Sequence, residues 1–380
     1  MDVRYCLTDE AHGTAALAAL IRECGENDFI GLDTEFDRVK TYYPILALVQ
    51  LKLNDTCYLL DPLRTDIAPV IAAICDTEAT VLLFSGDEDL EVLSREAQKA
   101  GLKKNLPARI VDLQYLAAFE GADFQKGLQA TLKQDLGIEL DKSQTRSDWL
   151  SRPLNSEQLQ YAACDVAYLD RLYAFRMRNF KEHDIRFTWF LEAMRDKATQ
   201  AAAQVRPEEL YMSVQGAGDY ALDQKFLLRL RYLCKKRYEY SVLHNEALNR
   251  VITGRALVNL AKLTPATRQG LYSSHMHREA VRQHGDDVLQ WVSESLKLTE
   301  ETPLALPYDA YAPGRSDQSR GAVLKKFLTA KAEAAGIRPE LLCSKKIIND
   351  YFYNATVNKP SLLERGWMKE CVGDPKKAFA

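Results

Sequence analysis

Acidic side chains at regular spacing mark the part of this sequence that could do chemistry. In the stretch IGLDTEFD, residues 30–37, Asp33, Glu35 and Asp37 occupy every second position of an apolar run. Side chains two residues apart on a strand point to the same face of a sheet. An uncompensated carboxylate in a protein core is costly. The pattern therefore indicates either a bound cation or an exposed strand edge, and it leaves open whether all three acids take part.

Two later motifs supply further functional groups. Asp89 lies in GDEDLEVL, in the opening turn of a predicted helix, where the helix dipole favours an ionised acid. In YAACD, Tyr161 and Asp165 are four residues apart and would share one face of a helix. Each motif alone is also common as a strand edge, a helix face or a helix cap. Their order within one α/β domain favours a shared site.

Four converging carboxylates, on Asp33, Glu35, Asp89 and Asp165, would repel one another unless cations held them. Mg²⁺ and Mn²⁺ prefer such oxygen ligands. Two of these ions roughly 3.5–4 Å apart can activate a water and stabilise the leaving oxygen in phosphodiester hydrolysis. Tyr161 would lie beside the acids and orient the attacking water, since a phenol with a pKa of about 10 positions more readily than it acts as a base. The residues thus predict a metal-dependent phosphodiester hydrolase.

Strand-like and helix-like segments alternate through about the first 190 residues, which predicts an α/β domain. The strand candidates are FIGLDTEF, LALVQLKL, TCYLL, TVLLFS and RIVDL, and one long helix candidate is SEQLQYAACDVAYLDRLYAFRMRNF. The turn LNDTC between two strand candidates predicts a hairpin, and hence an antiparallel strand. After about residue 187 the strand signals stop. We predict a helical region at 218–296, a Pro-rich linker at 302–317 and a second helical region at 318–380.

The bulk composition narrows the class of protein. The chain has 380 residues, of which 47% are hydrophobic and 27% charged, as in a globular protein of two or three domains. No apolar run reaches the roughly 18 residues of a membrane span, and the acidic N-terminus lacks a signal-peptide pattern. The eight cysteines form no C-x-x-C pair, which predicts reduced thiols and no zinc finger. We expect a cytoplasmic protein with no membrane partner.

The net charge of −3 combines two unlike halves. Residues 1–190 carry 21 basic and 31 acidic side chains, whereas residues 191–380 carry 29 basic and 22 acidic ones. Halves of ordinary proteins often differ by this much, but the asymmetry favours metal chemistry in the first half and polyanion binding in the second. The tyrosines of KFLLRLRYLCKKRYEY could stack on bases. Its candidate phosphate contacts are Arg229, Lys235, Lys236 and Arg237.

Together these motifs resemble the bacterial ribonuclease D family, within the tyrosine-containing subgroup of the DEDD exonucleases. GLDTEFDRVKTYYPILALVQL looks like the first exonuclease motif, FSGDEDLEVL like the second, and LDKSQTRSDWLSRPLNSEQLQYAACDVAYL like the segment that runs into the third. The resemblance covers about residues 1–200. It implies an RNase H-like mixed sheet flanked by helices, two divalent metal ions and 3′-to-5′ hydrolysis of RNA that releases nucleoside 5′-monophosphates.

The resemblance also implies roles for individual residues. Asp33, Glu35 and Asp165 would hold the metal ion that activates water, Asp33 and Asp89 would hold the second ion, and Tyr161 would position the nucleophile. The sequence departs from the family at two places. Phe84 stands where histidine is frequent, and Asp37 where an apolar residue is usual. Neither departure removes a metal ligand, and we interpret Asp37 as a surface or substrate-side acid at the strand end.

The two helical regions resemble the helicase-and-RNase-D C-terminal (HRDC) domain, the second copy being more divergent. The resemblance therefore implies a multidomain α/β plus α protein, with an exonuclease domain at 1–200 followed by two small helical bundles. Such a monomer could form a ring or funnel that admits the single-stranded 3′ end of an RNA, tRNA precursors above all.

Two other functions stay open at this point. A DNA 3′-to-5′ exonuclease could use the same four acids, since the catalytic motifs alone do not choose between RNA and DNA. A non-catalytic RNA-binding protein on a degenerate nuclease fold would usually have lost metal ligands, whereas all four acids and the tyrosine are present here.

Overall fold

A computed structural model describes residues 2–6, 11–140, 147–299, 303–311 and 318–379. Residues 141–146, which open the segment leading into the predicted third motif, lie outside these ranges, as do residues 302 and 312–317 of the predicted linker. The described residues confirm the predicted fold class, in which a mixed sheet flanked by helices is followed by helical regions.

A six-stranded mixed sheet forms the centre of the first domain in the described residues, in the order β1-β4-β3-β2-β5-β6. Strand β3 runs antiparallel to both of its neighbours, and the other pairings are parallel. All five predicted strands form, and the predicted hairpin joins β3 to β4. The strand β1, at the sheet edge, was not predicted. The strands are β1 (Asp2–Cys6), β2 (Phe29–Asp37), β3 (Ile45–Leu53), β4 (Thr56–Leu60), β5 (Thr80–Leu83) and β6 (Ile110–Asp112).

Helices follow the strands and flank the sheet. The long helix predicted around Tyr161 is two helices that meet at Tyr168, whose backbone (φ −122°, ψ 8°) leaves the helical region. The helices of this part are α1 (Ala11–Glu23), α2 (Ala68–Asp76), α3 (Asp87–Lys99), α4 (Leu113–Glu120), α5 (Leu128–Leu136), α6 (Ser156–Ala167), α7 (Leu169–Met177) and α8 (Ile185–Ala201).

The first helical region has a hydrophobic core of its own. Leu227, Leu230, Leu257 and Val281 are fully buried in it, and Tyr211 joins them from a 3₁₀ turn that precedes the bundle. The helices of this region are α9 (Gln224–His244), α10 (Leu248–Val251), α11 (Gly254–Leu263), α12 (Arg268–Ser273) and α13 (Arg278–Ser295).

The described part of the predicted linker, residues 303–311, is packed against this bundle. The Tyr211 hydroxyl donates a hydrogen bond of 2.7 Å to the carbonyl oxygen of Ala305. The Gly218 amide donates one of 2.8 Å to the Asp309 carboxylate. The segment therefore follows a fixed path along the surface of the first helical region.

The last helical region shares its core with the α/β domain. Trp367 is 2% exposed, and its ring lies 5.0 Å from that of Phe119 and 6.4 Å from that of Trp189. The Arg338 amide donates a hydrogen bond of 2.8 Å to the carbonyl of Ala118. Buried residues of both parts thus form one cluster. The helices are α14 (Gln318–Ala335), α15 (Lys345–Thr356) and α16 (Gly366–Val372).

Within the described ranges, no helix combines the length and the apolar character that crossing a bilayer requires. The following cysteines are free thiols: Cys24, Cys57, Cys75, Cys164, Cys234, Cys343 and Cys371.

Candidate active site

Strand β2 carries two of the predicted acids on one face. Asp33 and Glu35 lie in regular antiparallel register with β3, and the register then shifts between Glu35 and Phe36. A bulge of this kind interrupts the two-residue alternation of a strand. Asp37, beyond the shift, accepts a hydrogen bond of 3.2 Å from the backbone amide of Val39. An ideal strand would place all three acids on one face. Because of the register shift, Asp33 and Glu35 share that face and Asp37 does not.

Helix α6 begins at a capping box and buries a stripe of small side chains. The Asn155 side chain accepts a hydrogen bond of 2.8 Å from the Gln158 amide, and the Gln158 side chain accepts one of 3.0 Å from the Asn155 amide. Ala162, Ala163 and Val166 are fully buried, and the helix packs on β2, β3 and β4. This packing fixes the height and rotation of the helix over the sheet.

Gly31 allows α6 to approach β2 closely. A Cβ atom at this position would lie 3.1 Å from the carbonyl oxygen of Val166 and 3.2 Å from the Cβ of Lys52. Gly31, Asp33 and Glu35 alternate along the strand, so the glycine occupies the same face as the acids. The close approach of Val166 therefore also brings its neighbour Asp165 toward the acids of β2.

Asp33, Glu35 and Asp165 come together in the folded chain. One carboxylate oxygen from each lies within 4.8 Å of the other two. Burial, followed by the Asp89, Asp165 and Glu35 carboxylates, raises the pKa of Asp33 well above its usual range. Burial and the Asp165 and Asp89 charges raise the pKa of Glu35 to about 8. Burial and Asp89 raise the pKa of Asp165 to about 7. The site holds more negative charge than protein groups alone neutralise.

Asp89 stands at the edge of this cluster, in the first turn of α3. It is 7% exposed, and its carboxylate accepts a hydrogen bond from the Thr34 hydroxyl. Burial raises the pKa of Asp89 to about 6, although the bonds from Thr34 counteract part of that rise. Asp89 lies outside the set of three acids within 4.8 Å but acts on the pKa values of all three.

Asp112, which the sequence analysis did not single out, holds the turn that leads to Asp89. It is 2% exposed at the end of β6, and its carboxylate accepts hydrogen bonds from the amides of Ser85 (3.0 Å) and Gly86 (3.2 Å). Ser85 has a positive φ of 61°, an uncommon conformation that such bonds stabilise. The ammonium of Lys197 lies 3.5 Å from the same carboxylate. In the sequence, this role was indicated by an acid near the end of the predicted strand RIVDL.

Tyr161 is held by the segment that leads into α6. Its ring lies 6.1 Å from that of Trp149. Tyr161 precedes Asp165 by one turn of α6. The guanidinium of Arg152 donates hydrogen bonds to the carbonyl of Trp149 (2.6 Å) and to the buried carboxylate of Asp61 (2.9 Å). The Arg152–Asp61 pair thus anchors this segment to the sheet and supports the aromatic contact.

The four acids fit a divalent metal centre. Across the part of the chain that the structure describes, no lysine, arginine or histidine forms an ion pair with Asp33, Glu35, Asp89 or Asp165. Their donor atoms are all carboxylate oxygens, the ligands that Mg²⁺ and Mn²⁺ prefer. Divalent cations would supply the positive charge that these acids lack among the described residues.

Two of the predicted RNA contacts lie at the surface of α9 with protein partners. The Lys235 ammonium is 2.5 Å from the Glu208 carboxylate. That of Lys236 lies 5.4 Å from the centre of the Tyr232 ring. Both side chains are accessible and stay predicted RNA contacts.

Of the other two predicted RNA contacts, Arg237 turns inward, and this corrects the surface role assigned to it. Arg237 is 9% exposed, and its guanidinium donates a hydrogen bond of 3.0 Å to the carbonyl of Ile252 inside the bundle. The Nε atom of Arg229 is buried as well. An alternating basic and apolar pattern on a helix does not reveal which charged side chains fold back over the core.

Asp37→Ala is expected to retain most of the predicted phosphodiester hydrolase activity. The side chain lies beyond the register shift and bonds to its own following backbone, so it supplies no ligand to the acid cluster. A surface substitution of this kind changes stability by less than about 0.5 kcal/mol. Steady-state hydrolysis of a labelled RNA measures the effect, and a loss as large as that of Asp33→Ala would mean that the site includes a third β2 acid.

Gly31→Ala is expected to lower kcat while leaving the protein folded. The added Cβ forces Val166, and with it Asp165, to move by a few tenths of an ångström, and such misplacement costs about tenfold in rate. Gly127→Ala is the matched control, because nothing lies within 4 Å of a Cβ at that position. Equal rates for the two variants, measured at saturating RNA, would contradict the proposed role of the close approach.

Comparison with known proteins agrees with this geometry. Residues 11–178 match the 3′-5′ exonuclease family model. Ribonuclease D of Pseudomonas paraeruginosa is 33% identical over 94% of both chains, and that of Escherichia coli K12 is 31% identical over 98% of this chain and 97% of its own. The crystal structure of Escherichia coli RNase D, an exoribonuclease involved in structured RNA processing, covers 100% of this chain and 99% of its own, with 29% identity and a TM-score of 0.84.

The similarity spans the sheet, the acid cluster and both helical regions, and it is not confined to the nuclease domain. Relatives at this identity over nearly the full length share a fold and an activity with the chain, and the exonuclease model covers all the acids of the site. The chain therefore belongs to the ribonuclease D family and is a 3′-to-5′ exoribonuclease.

Proposed function

We propose that this exoribonuclease trims the 3′ tails of tRNA precursors in the cytoplasm, acting as a monomer with two divalent metal ions. RNA hydrolysis and dependence on a divalent metal follow from the family and from the oxygen-only acid site. The metal ions of this proposal are supported by the convergence of Asp33, Glu35 and Asp165, which have no basic partner among the described residues. For the substrate, support comes from Escherichia coli RNase D, which takes part in structured RNA processing.

Each acid has a proposed place in the metal centre. Asp33, Glu35 and Asp165 would hold one cation, and Asp33 and Asp89 would hold the other. Bound there, such ions activate a water and stabilise the leaving oxygen of a phosphodiester. Asp33 belongs to both sets, which agrees with the effect of all three other acids on its pKa.

The chain's own residues hold the water and the substrate in position. The Tyr161 hydroxyl, on the same face of α6 as Asp165, would orient the water for attack on the terminal phosphodiester. The ring contact with Trp149 limits its rotation. Thr34 fixes the Asp89 carboxylate by its hydroxyl, so that acid keeps one orientation while the substrate binds.

Contacts among the three parts support entry of a single-stranded 3′ end. The first helical region touches the nuclease at the loop after β2, where the Ala247 amide donates a hydrogen bond of 3.0 Å to the carbonyl of Lys40. Residues 303–311 connect that region to the last one, and the rings of Tyr308 and Tyr353 lie 5.5 Å apart. Because the last region packs into the nuclease core, the three parts form a closed path of contacts, the arrangement expected of a ring.

Digestion of matched end-labelled substrates tests the proposal. The wild type should shorten a tRNA precursor with a 3′ tail from its 3′ end in Mg²⁺ or Mn²⁺ and stop in EDTA. A DNA oligomer with the sequence of the tail should be cut more slowly than the RNA. Equal or faster DNA hydrolysis would overturn the RNA assignment, and no preference for the precursor over an unstructured RNA would overturn the tRNA proposal.

A further inference from the structure

A cavity lies where the nuclease domain meets the first helical region. It has a volume of about 270 Å³ and is lined by Tyr42 and Tyr43 from the loop after β2, by Ser94 and Arg95 from α3, and by Tyr238 from α9. We call it the junction pocket. Its walls come from two domains, so it exists only while the first helical region is docked.

Three phenol rings and one guanidinium dominate the junction pocket. The rings of Tyr42 and Tyr43 are 4.7 Å apart, and those of Tyr42 and Tyr238 are 5.7 Å apart, each pair with planes 84° apart. The guanidinium of Arg95 lies 3.0 Å from the centre of the Tyr43 ring. The edge-to-face contacts lock the rings against one another, which gives the pocket rigid aromatic walls.

Two hydrogen bonds hold the docked helix against the loop. The Tyr43 amide donates one of 3.0 Å to the side chain of Asn245, which ends α9 in a left-handed conformation (φ 48°). The Ala247 amide donates the other to the carbonyl of Lys40. Tyr238 therefore reaches the pocket from a helix fixed at its C-terminal end.

The chemistry of the pocket suits a nucleobase better than a phosphate. The lining contains one arginine and one carboxylate, and that carboxylate, Glu91, is paired with Arg38 at 2.9 Å. A phosphate would require an excess of positive charge. The lining also includes the side-chain amides of Gln98 and Gln204. Aromatic rings, an arginine plane and hydrogen-bonding side chains are the groups by which proteins bind the faces and edges of unpaired RNA bases.

The position of the pocket matches a nucleotide upstream of the scissile bond. Arg95 is six residues after Asp89 on α3, which is about 9 Å along the helix axis. The loop with Tyr42 continues directly from the strand that carries Glu35. An RNA whose 3′ nucleotide lay at the acids would therefore have an upstream nucleotide within reach of this junction.

We propose that the junction pocket binds one base of the single-stranded RNA tail, upstream of the nucleotide that is removed. The inference rests on the proposed function, since the occupant is the RNA substrate. Tyr238 supplies the contribution of the helical region, and the bonds of Asn245 and Ala247 bring its ring to the pocket. The pocket thus sets the minimum tail length that is bound tightly.

Abasic scanning of the substrate tests the inference. A ten-nucleotide RNA is prepared intact and with a single abasic site at each upstream position, and kcat/KM is measured in Mn²⁺. For the wild type, one upstream abasic position should lower kcat/KM about tenfold, because base–aromatic stacking contributes on this scale. For Tyr238→Ala, kcat/KM on the intact RNA should fall by the same factor, and the abasic site at that position should cause no further loss.

Control variants separate stacking from folding. Tyr238→Phe keeps the ring and should keep the abasic effect, whereas Tyr272→Ala removes an exposed tyrosine of the same region and should leave every value unchanged. Absence of a sensitive upstream position, or additive losses from Tyr238→Ala and the abasic site, would overturn the inference. Failure of the wild type to degrade the intact RNA would instead overturn the proposed function.

Discussion

Asp33→Asn is expected to abolish turnover while RNA binding persists. Asp33 is the acid whose pKa is raised by all three of the others, and it is proposed to contact both metal ions. Asparagine keeps the shape but removes the charge, so the cations lose a shared ligand. Because bound metal contributes several kcal/mol to the transition state, the loss should reach about 10³-fold in kcat. Single-turnover digestion and filter binding measure the two properties separately.

Asp37→Asn is the matched control for this variant, since it removes the same charge four residues along the same strand. It should hydrolyse RNA at nearly the wild-type rate. If Asp33→Asn degrades RNA like the wild type, the proposed site is wrong. If it loses binding and turnover together, with an intact far-ultraviolet spectrum, Asp33 acts on RNA affinity and not through the metal ions.

The metal-free protein is expected to lose stability as the pH rises from about 5 to about 8. In the folded chain the pKa of Glu35 rises from 4.5 to about 8, so the native state binds this proton more tightly than the unfolded state does. The stabilising contribution is fully present below the unfolded pKa and disappears as the pH passes the folded one. Each pKa unit corresponds to about 1.4 kcal/mol. The acid cluster therefore opposes folding at neutral pH until cations bind.

Glu35→Gln should remove part of this pH dependence. In EDTA at a pH of about 8.5, the variant should be more stable than the wild type by about 2–4 kcal/mol, and at a pH of about 5 the difference should vanish. Mn²⁺ should then stabilise the wild type more than the variant, because ligand binding to the native state adds stability. Denaturant titrations of both proteins measure the free energy of unfolding in each of these conditions. Parallel pH profiles for the two proteins would show that Glu35 ionises as freely when folded as when unfolded.

Local patterns were sufficient to predict most of the fold. Five strands were predicted from apolar runs in the first 190 residues, because strands buried in a sheet need continuous hydrophobic faces. The turn at LNDTC identified the antiparallel hairpin through its own residues. Strand β1 at the sheet edge was missed, since its five residues pair only with β4 and carry little pattern of their own. The break between α6 and α7 at Tyr168 has no comparable signal in the sequence.

The site depended on contacts between distant residues. The four acids of the candidate site were all predicted from the sequence. The structure explains why Asp37 is not one of them, because the pairing of β2 with β3 shifts before this residue. Such a shift cannot be predicted from one strand alone. Thr34 and Asp112 act through partners 55 and 26 residues away, distances at which no sequence spacing rule applies. The surface role predicted for Arg237 is wrong for the same reason, because its guanidinium contacts the carbonyl of Ile252, which is 15 residues away.

The shared core of the nuclease and the last helical region has a consequence for biosynthesis. Phe119 belongs to the first third of the chain, yet one wall of its environment is Trp367. A nascent chain whose proposed metal-binding acids have left the ribosome still lacks that wall. Its apolar surface around Phe119 stays uncovered until residue 367 emerges. Domains usually fold as units in the order of synthesis. In this enzyme the core around Phe119 is instead complete only when nearly all of the chain has been translated.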